Sequence, residues 1–239
     1  MFAQVKLSAR RALLGEELSV LPGTFLLMFF FLLFSLCNAG LTAVPYEIPP
    51  YLLSAAAFLS APLALFCISP LKLKMQRRYI LFYSGARSSD KVDFESAVNS
   101  CILNLFLMFI RFFYFAVYEA LPFAAMLFLL KKLREENISE KAVISVLLGI
   151  TAAFLIGAAA FFVHIQKYSR AEFYLAAYRG ISPVEAIRLS IKHTEGKLMN
   201  TALFKAGFFL WFALCIFGLP VLYVLPYYKQ SLTAFFIEY

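Results

Sequence analysis

The chain has one tryptophan, two histidines and four cysteines, and only 15% of its residues are charged. Each shortage removes a class of chemistry. With His164 and His193 as the only imidazoles, metal ligation and acid–base catalysis are both limited. Cys37, Cys67, Cys101 and Cys215 form no CxxC pair and lie in or beside apolar segments, so they read as small buried thiols. The sequence holds no Gly-x-Ser-x-Gly, no HExxH, no Walker A and no dinucleotide fingerprint. The expectation is a protein that is not an enzyme and that carries neither a metal nor another cofactor.

The shortage of charge also excludes an ordinary soluble fold. The chain is 62% hydrophobic, with a mean hydropathy of +0.79. Soluble domains run about 45–50% apolar. So few charged residues cannot cover so large an apolar interior, whereas a bilayer lets apolar side chains face lipid. The 28 Phe residues suit such a surface. The net charge of +8 sits largely in short stretches between apolar runs. There it orients the chain and attracts anionic lipid, so nucleic acid is not expected as a partner.

Helices and closed barrels are the structures that satisfy the backbone in lipid. Long apolar runs without strict alternation exclude the barrel. The expected fold is therefore all-α: a polytopic transmembrane helix bundle of about six crossings. It forms one integral membrane domain over 1–239, with an interfacial helix at 1–20 and the bundle at 22–239. The crossings are expected at 22–44, 51–71, 100–130, 142–165, 201–218 and 219–237. A Pro-rich turn at 44–50 separates the first two. Lys6, Arg10 and Arg11 precede the first, which reads as uncleaved. In 1–20, apolar residues such as Val5, Ala9 and Leu13 are interleaved with charge, as in a helix lying on a membrane surface. Asn137-Ile138-Ser139 fits a glycosylation sequon, a pattern short enough to arise by chance.

Basic residues concentrate at 71–99 and 166–200, which places these loops and the N-terminus in the cytoplasm. The stretch 131–141 is also basic and dissents from this alternation, with Glu135, Glu136 and Glu140 partly offsetting it. The two large loops share a layout: an aromatic-rich helical piece, a break at Gly85 or Gly180, then a second helix start. In the second loop that start is well specified. Ser182 can cap, Pro183 suits the first helical position, and Glu185 completes a capping box. Crossings two–three and four–five are thus candidates for a parallel repeat, as found in many transporters.

The last third carries a further pattern. It runs through Ser182-Pro183-Val184-Glu185-Ala186-Ile187, Glu195-Gly196-Lys197, Phe208-Phe209-Leu210-Trp211, Leu225-Pro226-Tyr227-Tyr228 and Ala234-Phe235-Phe236. This resembles the DUF975 family of bacterial membrane proteins and, more distantly, the membrane domains attached to some glycerophosphodiester phosphodiesterases. The resemblance covers 165–239, and the rest matches in layout. It implies six membrane helices in a bacterial cytoplasmic membrane, and no activity.

Ionisable groups inside a bilayer are costly, at least about 2.5 kcal/mol at mid-helix, and are functional suspects. Arg111 lies within the third crossing, and seven-residue steps from it reach Asn104 and Tyr118 on one face. Pro122 falls close to the same stripe, and Glu119 lies two turns from Arg111. Lys229 follows Pro226-Tyr227-Tyr228 near the middle of the sixth crossing. The candidate ligand-binding residues are Arg111, Asn104, Tyr118, Glu119, Lys229 and Tyr227. Arg111 could instead be a structural arginine bonded to carbonyls or to Glu119. Lys205 and His164 read as snorkelling residues at crossing ends, and His193 as solvated.

Two functions follow as expectations. One is binding or translocation of a lipid or amphiphilic anion, with Arg111 as anchor and membrane lipids as partners. The other is an assembly role, in which helices at 73–99 and 168–195 dock another membrane protein or a second copy of the chain.

Overall fold

The computed structural model describes residues 2–14, 16, 19–30, 32, 50–85, 91–135, 140–215 and 220–239. The Pro-rich turn, Cys37 and the 137–139 sequon lie outside them, as does most of the expected first crossing beyond Phe30. Among the described residues every regular element is helical. In chain order they are α1 (Phe2–Leu13), α2 (Ser19–Phe30), α3 (Pro50–Ser84), α4 (Phe94–Glu135) and α5 (Glu140–His164). A 3₁₀ turn (Ile165–Tyr168) leads to α6 (Ala171–Ala177), α7 (Pro183–Thr194), α8 (Leu198–Ala206), α9 (Phe209–Leu214) and α10 (Val221–Glu238).

Among the described residues, Phe94–Phe128 and Leu147–Ala177 are long and apolar enough to cross a membrane. A core helix of a soluble protein would meet the same requirement, but it would be covered. Only 6% of the second stretch's most apolar window is buried. Such a surface is not stable against water, so these helices point to a membrane location. The remaining expected crossings are less clear-cut. Leu198–Leu214 is apolar but short, and α8 gives way to α9 around Gly207 and Phe208. The expected sixth crossing is α10, whose stretch 230–236 is buried within the protein.

At 42 residues, α4 is about 63 Å long, roughly twice the hydrocarbon thickness of a bilayer. Its burial pattern divides it. Ser96, Ser100, Leu103, Asn104 and Leu107 are buried and follow the spacing of one helix face. From Phe109 onward the large residues are mostly exposed; Phe112, for example, is 70% accessible. The protein-packed core therefore lies at one end of the molecule. It contains Val5 and Ala9 of α1, Leu73 of α3, Leu103 and Leu107 of α4, the interior of α6, Phe204 of α8, and Leu232, Ala234 and Phe235 of α10.

The expected surface helix is α1, and its apolar stripe of Val5, Ala9 and Leu13 is buried. Phe2 meets Phe204 and Phe235 edge-on at 5.6 and 6.1 Å. The Ser8 hydroxyl donates to Glu238 at 3.2 Å, and Glu238 also accepts from the Tyr83 hydroxyl. α1 and α10 thus lie side by side at the same end of the fold.

The chain breaks follow their local chemistry. Gly85 and Gly180 adopt φ of +65° and +77°, which L residues with side chains resist, and end the helical pieces before α4 and α7. Ser182 caps α7, accepting from the Glu185 amide at 3.2 Å, with Pro183 at the first position. Buried Arg77 holds the α3–α4 connection by donating to the Lys91 carbonyl at 2.6 Å and the Ser96 hydroxyl at 3.0 Å. Arg170, 1% exposed, stacks its guanidinium 5.0 Å from the Phe236 ring, tying the start of α6 to α10. The thiols divide: Cys101 is buried, Cys215 is half-buried and Cys67 is exposed, contrary to the expectation of buried thiols.

Candidate functional site

Four helices each bring one basic group to a shared cavity of about 370 Å³. They are Lys72 of α3, Arg111 of α4, Lys205 of α8 and Lys229 of α10, and α6 adds the carboxylate of Glu172. Each position lies beside, or one turn from, a buried residue of its own helix. Lys72 precedes buried Leu73, Arg111 lies one turn past buried Leu107, Lys205 follows buried Phe204, and Lys229 precedes buried Gln230. The packed core borders the cavity at Leu107 and Leu232.

Lys229 Nζ stands 3.8 Å from Glu172 Oε2, a loose ion pair with both side chains partly accessible. Lys229, Lys72, Arg111 and Lys205 all act on Glu172, so one carboxylate faces basic groups from four helices. The apolar wall comes from Leu107, Phe161, Ile165 and Leu232, and Tyr168 and Tyr228 add phenols. Arg111 is exposed, as are its neighbours Phe112 and Phe113. Its guanidinium therefore sits at the cavity mouth, beside exposed apolar surface.

Two smaller hollows of about 10 and 30 Å³ adjoin the cavity through Lys72 and Glu172. The first can hold about one water. It is lined in part by Gln76, Ser100 and Asn104. Here Asn104 donates to the Ser100 carbonyl at 2.9 Å, the Ser100 hydroxyl to the Ser69 carbonyl at 3.0 Å, and Gln76 to the Thr233 hydroxyl at 2.9 Å. These bonds brace α3, α4 and α10 behind the charged groups.

Of the six residues expected to bind ligand, Arg111 and Lys229 line the cavity and Asn104 lines the hollow behind it. The other three lie elsewhere. Tyr118 hydrogen-bonds His164 Nδ1 at 3.0 Å. That histidine also contacts the Ala160 carbonyl at 3.0 Å, so it is held between α4 and α5. Glu119 lies against α5: a Cβ on Gly157 would come 3.3 Å from its Oε1. Tyr227 packs on Phe208, Trp211 and Tyr223. Lys72, Glu172 and Lys205 were not singled out by the sequence reading as ligand-binding. The available signal was a shared position: each is an ionisable group at the edge of an apolar segment. His193 is exposed, with its ring 5.4 Å from that of Tyr174. Among the described residues no three His, Cys, Asp or Glu side chains group closely enough to hold a metal ion.

Comparison with family models, with curated proteins and with solved structures found no match to this chain.

Proposed function

We propose that this is a multi-pass protein of a bacterial cytoplasmic membrane that binds, and can pass through its helix bundle, a lipid or amphiphilic anion. One observation carries the reading: four basic groups from four helices share one cavity with a single carboxylate. Uncompensated charge away from water is expensive, so an arrangement in which basic groups outnumber the one carboxylate favours an anionic guest. The apolar walls suit the remainder of an amphiphile. Side-by-side packing of α1 and α10 supports an even number of passages, and the basic residues of α3 and α7 support a cytoplasmic location for that end.

The assembly reading has one observation in its favour. An open hollow of about 430 Å³ runs along α6 and α7, lined by Tyr178, Ile181, Leu189 and His193 among others. A single experiment separates the two readings. Native mass spectrometry is applied to protein released from native-lipid nanodiscs, wild type beside Arg111→Ala. A retained anionic lipid or metabolite that the variant loses supports anion handling. A co-purifying polypeptide with no retained small molecule overturns it in favour of assembly.

A further inference from the structure

We infer that the cavity selects a dianionic phosphomonoester over a monoanion, with Glu172 as the residue that sets this selectivity. The inference rests on the anion-binding reading and adds the class of head group. Lys72, Arg111 and Lys229 against Glu172 leave two positive charges to be balanced in a partly enclosed, apolar-walled space, with the Lys205 amine as a fourth basic group. A monoanion leaves one of them uncompensated and a dianion leaves none. The donors point the same way. Arg111 offers a planar fork, and the three lysines offer further N–H donors from other directions. A carboxylate has two oxygens to share among them, and a phosphodiester has two unesterified oxygens. A phosphomonoester has three.

Among the described residues Glu172 is the only carboxylate on the cavity wall, and it stands 3.8 Å from Lys229. It holds that lysine when no guest is bound and lowers the charge that a guest meets. Its effect on binding must scale with the charge of the guest. Removing it strengthens a dianion about twice as much, in logarithmic terms, as a monoanion. Removing a cation weakens them in the same proportion.

The test is equilibrium binding to the full chain in a neutral detergent at pH 8. The probes are dihexanoyl phosphatidic acid, dihexanoyl phosphatidylglycerol with the same tails, and glycerol 3-phosphate with none. Wild type is expected to bind the phosphatidic acid at least about tenfold more tightly than the phosphatidylglycerol. Glu172→Gln is expected to tighten the first about tenfold and the second about threefold. Lys229→Met is expected to weaken them in the same ratio, and it serves as the test if Glu172→Gln does not fold. Equal affinity of wild type for the two lipids, or equal response of both to either substitution, overturns the inference and leaves the anion reading standing. Binding of neither lipid above the level of Arg111→Ala overturns the anion reading itself. Glycerol 3-phosphate binding as tightly as phosphatidic acid supports the dianion and identifies a soluble phosphate as its source. Much weaker binding supports the dianion and identifies a lipid.

Discussion

The contact between α4 and α5 offers a sharp test of the helix arrangement that frames the cavity. A Cβ built on Gly157 would fall 2.8 Å from the backbone carbonyl oxygen of Tyr118. No rotamer change relieves a clash with backbone, so α4 and α5 would have to separate by roughly half an ångström to regain ordinary contact. Overpacking of this kind costs about 1–3 kcal/mol. Gly149 lies two turns earlier on α5, and a Cβ there would meet nothing within 4 Å. Alanine has a higher helix propensity than glycine at either position, so the difference between the two variants isolates the clash. At about 2–4 °C per kcal/mol for a chain of this size, Gly157→Ala should melt several degrees below Gly149→Ala in detergent. The Tyr118–His164 bond at 3.0 Å lies just beyond the contact and should lengthen with it. Equal melting temperatures for the two variants would refute the close approach.

Two further outcomes concern the packed end. Ser182→Ala removes the acceptor for the Glu185 amide and should cost about 1 kcal/mol, seen as faster hydrogen exchange in the first turn of α7 with little change in α4. Asp93 precedes α4, and hydrogen bonds from its own backbone amide and the Ser96 hydroxyl, with Arg77 beyond, hold its carboxyl below the ordinary value of 3.8. A depressed carboxyl contributes stability that is present above its unfolded value and lost as pH falls through its folded value. Protection at the start of α4 should therefore decline below about pH 4 in wild type, and Asp93→Asn should abolish that dependence.

The sequence made some levels of this structure legible and concealed others. Local chemistry was readable where one or two residues decide the outcome. Ser182 with Pro183 starts α7, and Gly85 and Gly180 take positive φ where the helical pieces end. Helical class was readable because long apolar runs have few alternatives in lipid. What hydropathy could not give was the partner of each apolar face. Phe235 and Ala234 read like lipid-facing residues, yet both are fully covered by protein. Phe112 and Phe113 look the same in sequence and stand exposed. An apolar side chain satisfied by protein and one satisfied by lipid leave the same signature.

The site was hidden for a related reason. Seven-residue spacing placed Asn104, Arg111 and Tyr118 on one face, and all three meet other parts of the protein. But α4 is long enough for one face to meet three surroundings: the bracing hollow at Asn104, the cavity at Arg111, and α5 at Tyr118. Lys72, Glu172, Lys205 and Lys229 come from separate segments, and only the relative depth of the helices unites them. That depth depends on where each helix leaves the packed core, which the pattern of a single segment does not record.

The most direct test of the account is a binding series with dihexanoyl phosphatidic acid across five single variants. Lys72→Ala, Arg111→Ala, Lys205→Ala and Lys229→Ala each remove one basic N–H donor from the wall, and Arg188→Ala removes an exposed cation on α7. If the four share one anion, each should weaken binding about tenfold or more, as loss of a charge-assisted bond implies, with Arg188→Ala close to wild type. If the four wall variants bind as wild type does, or no more weakly than Arg188→Ala, the cavity is not an anion site.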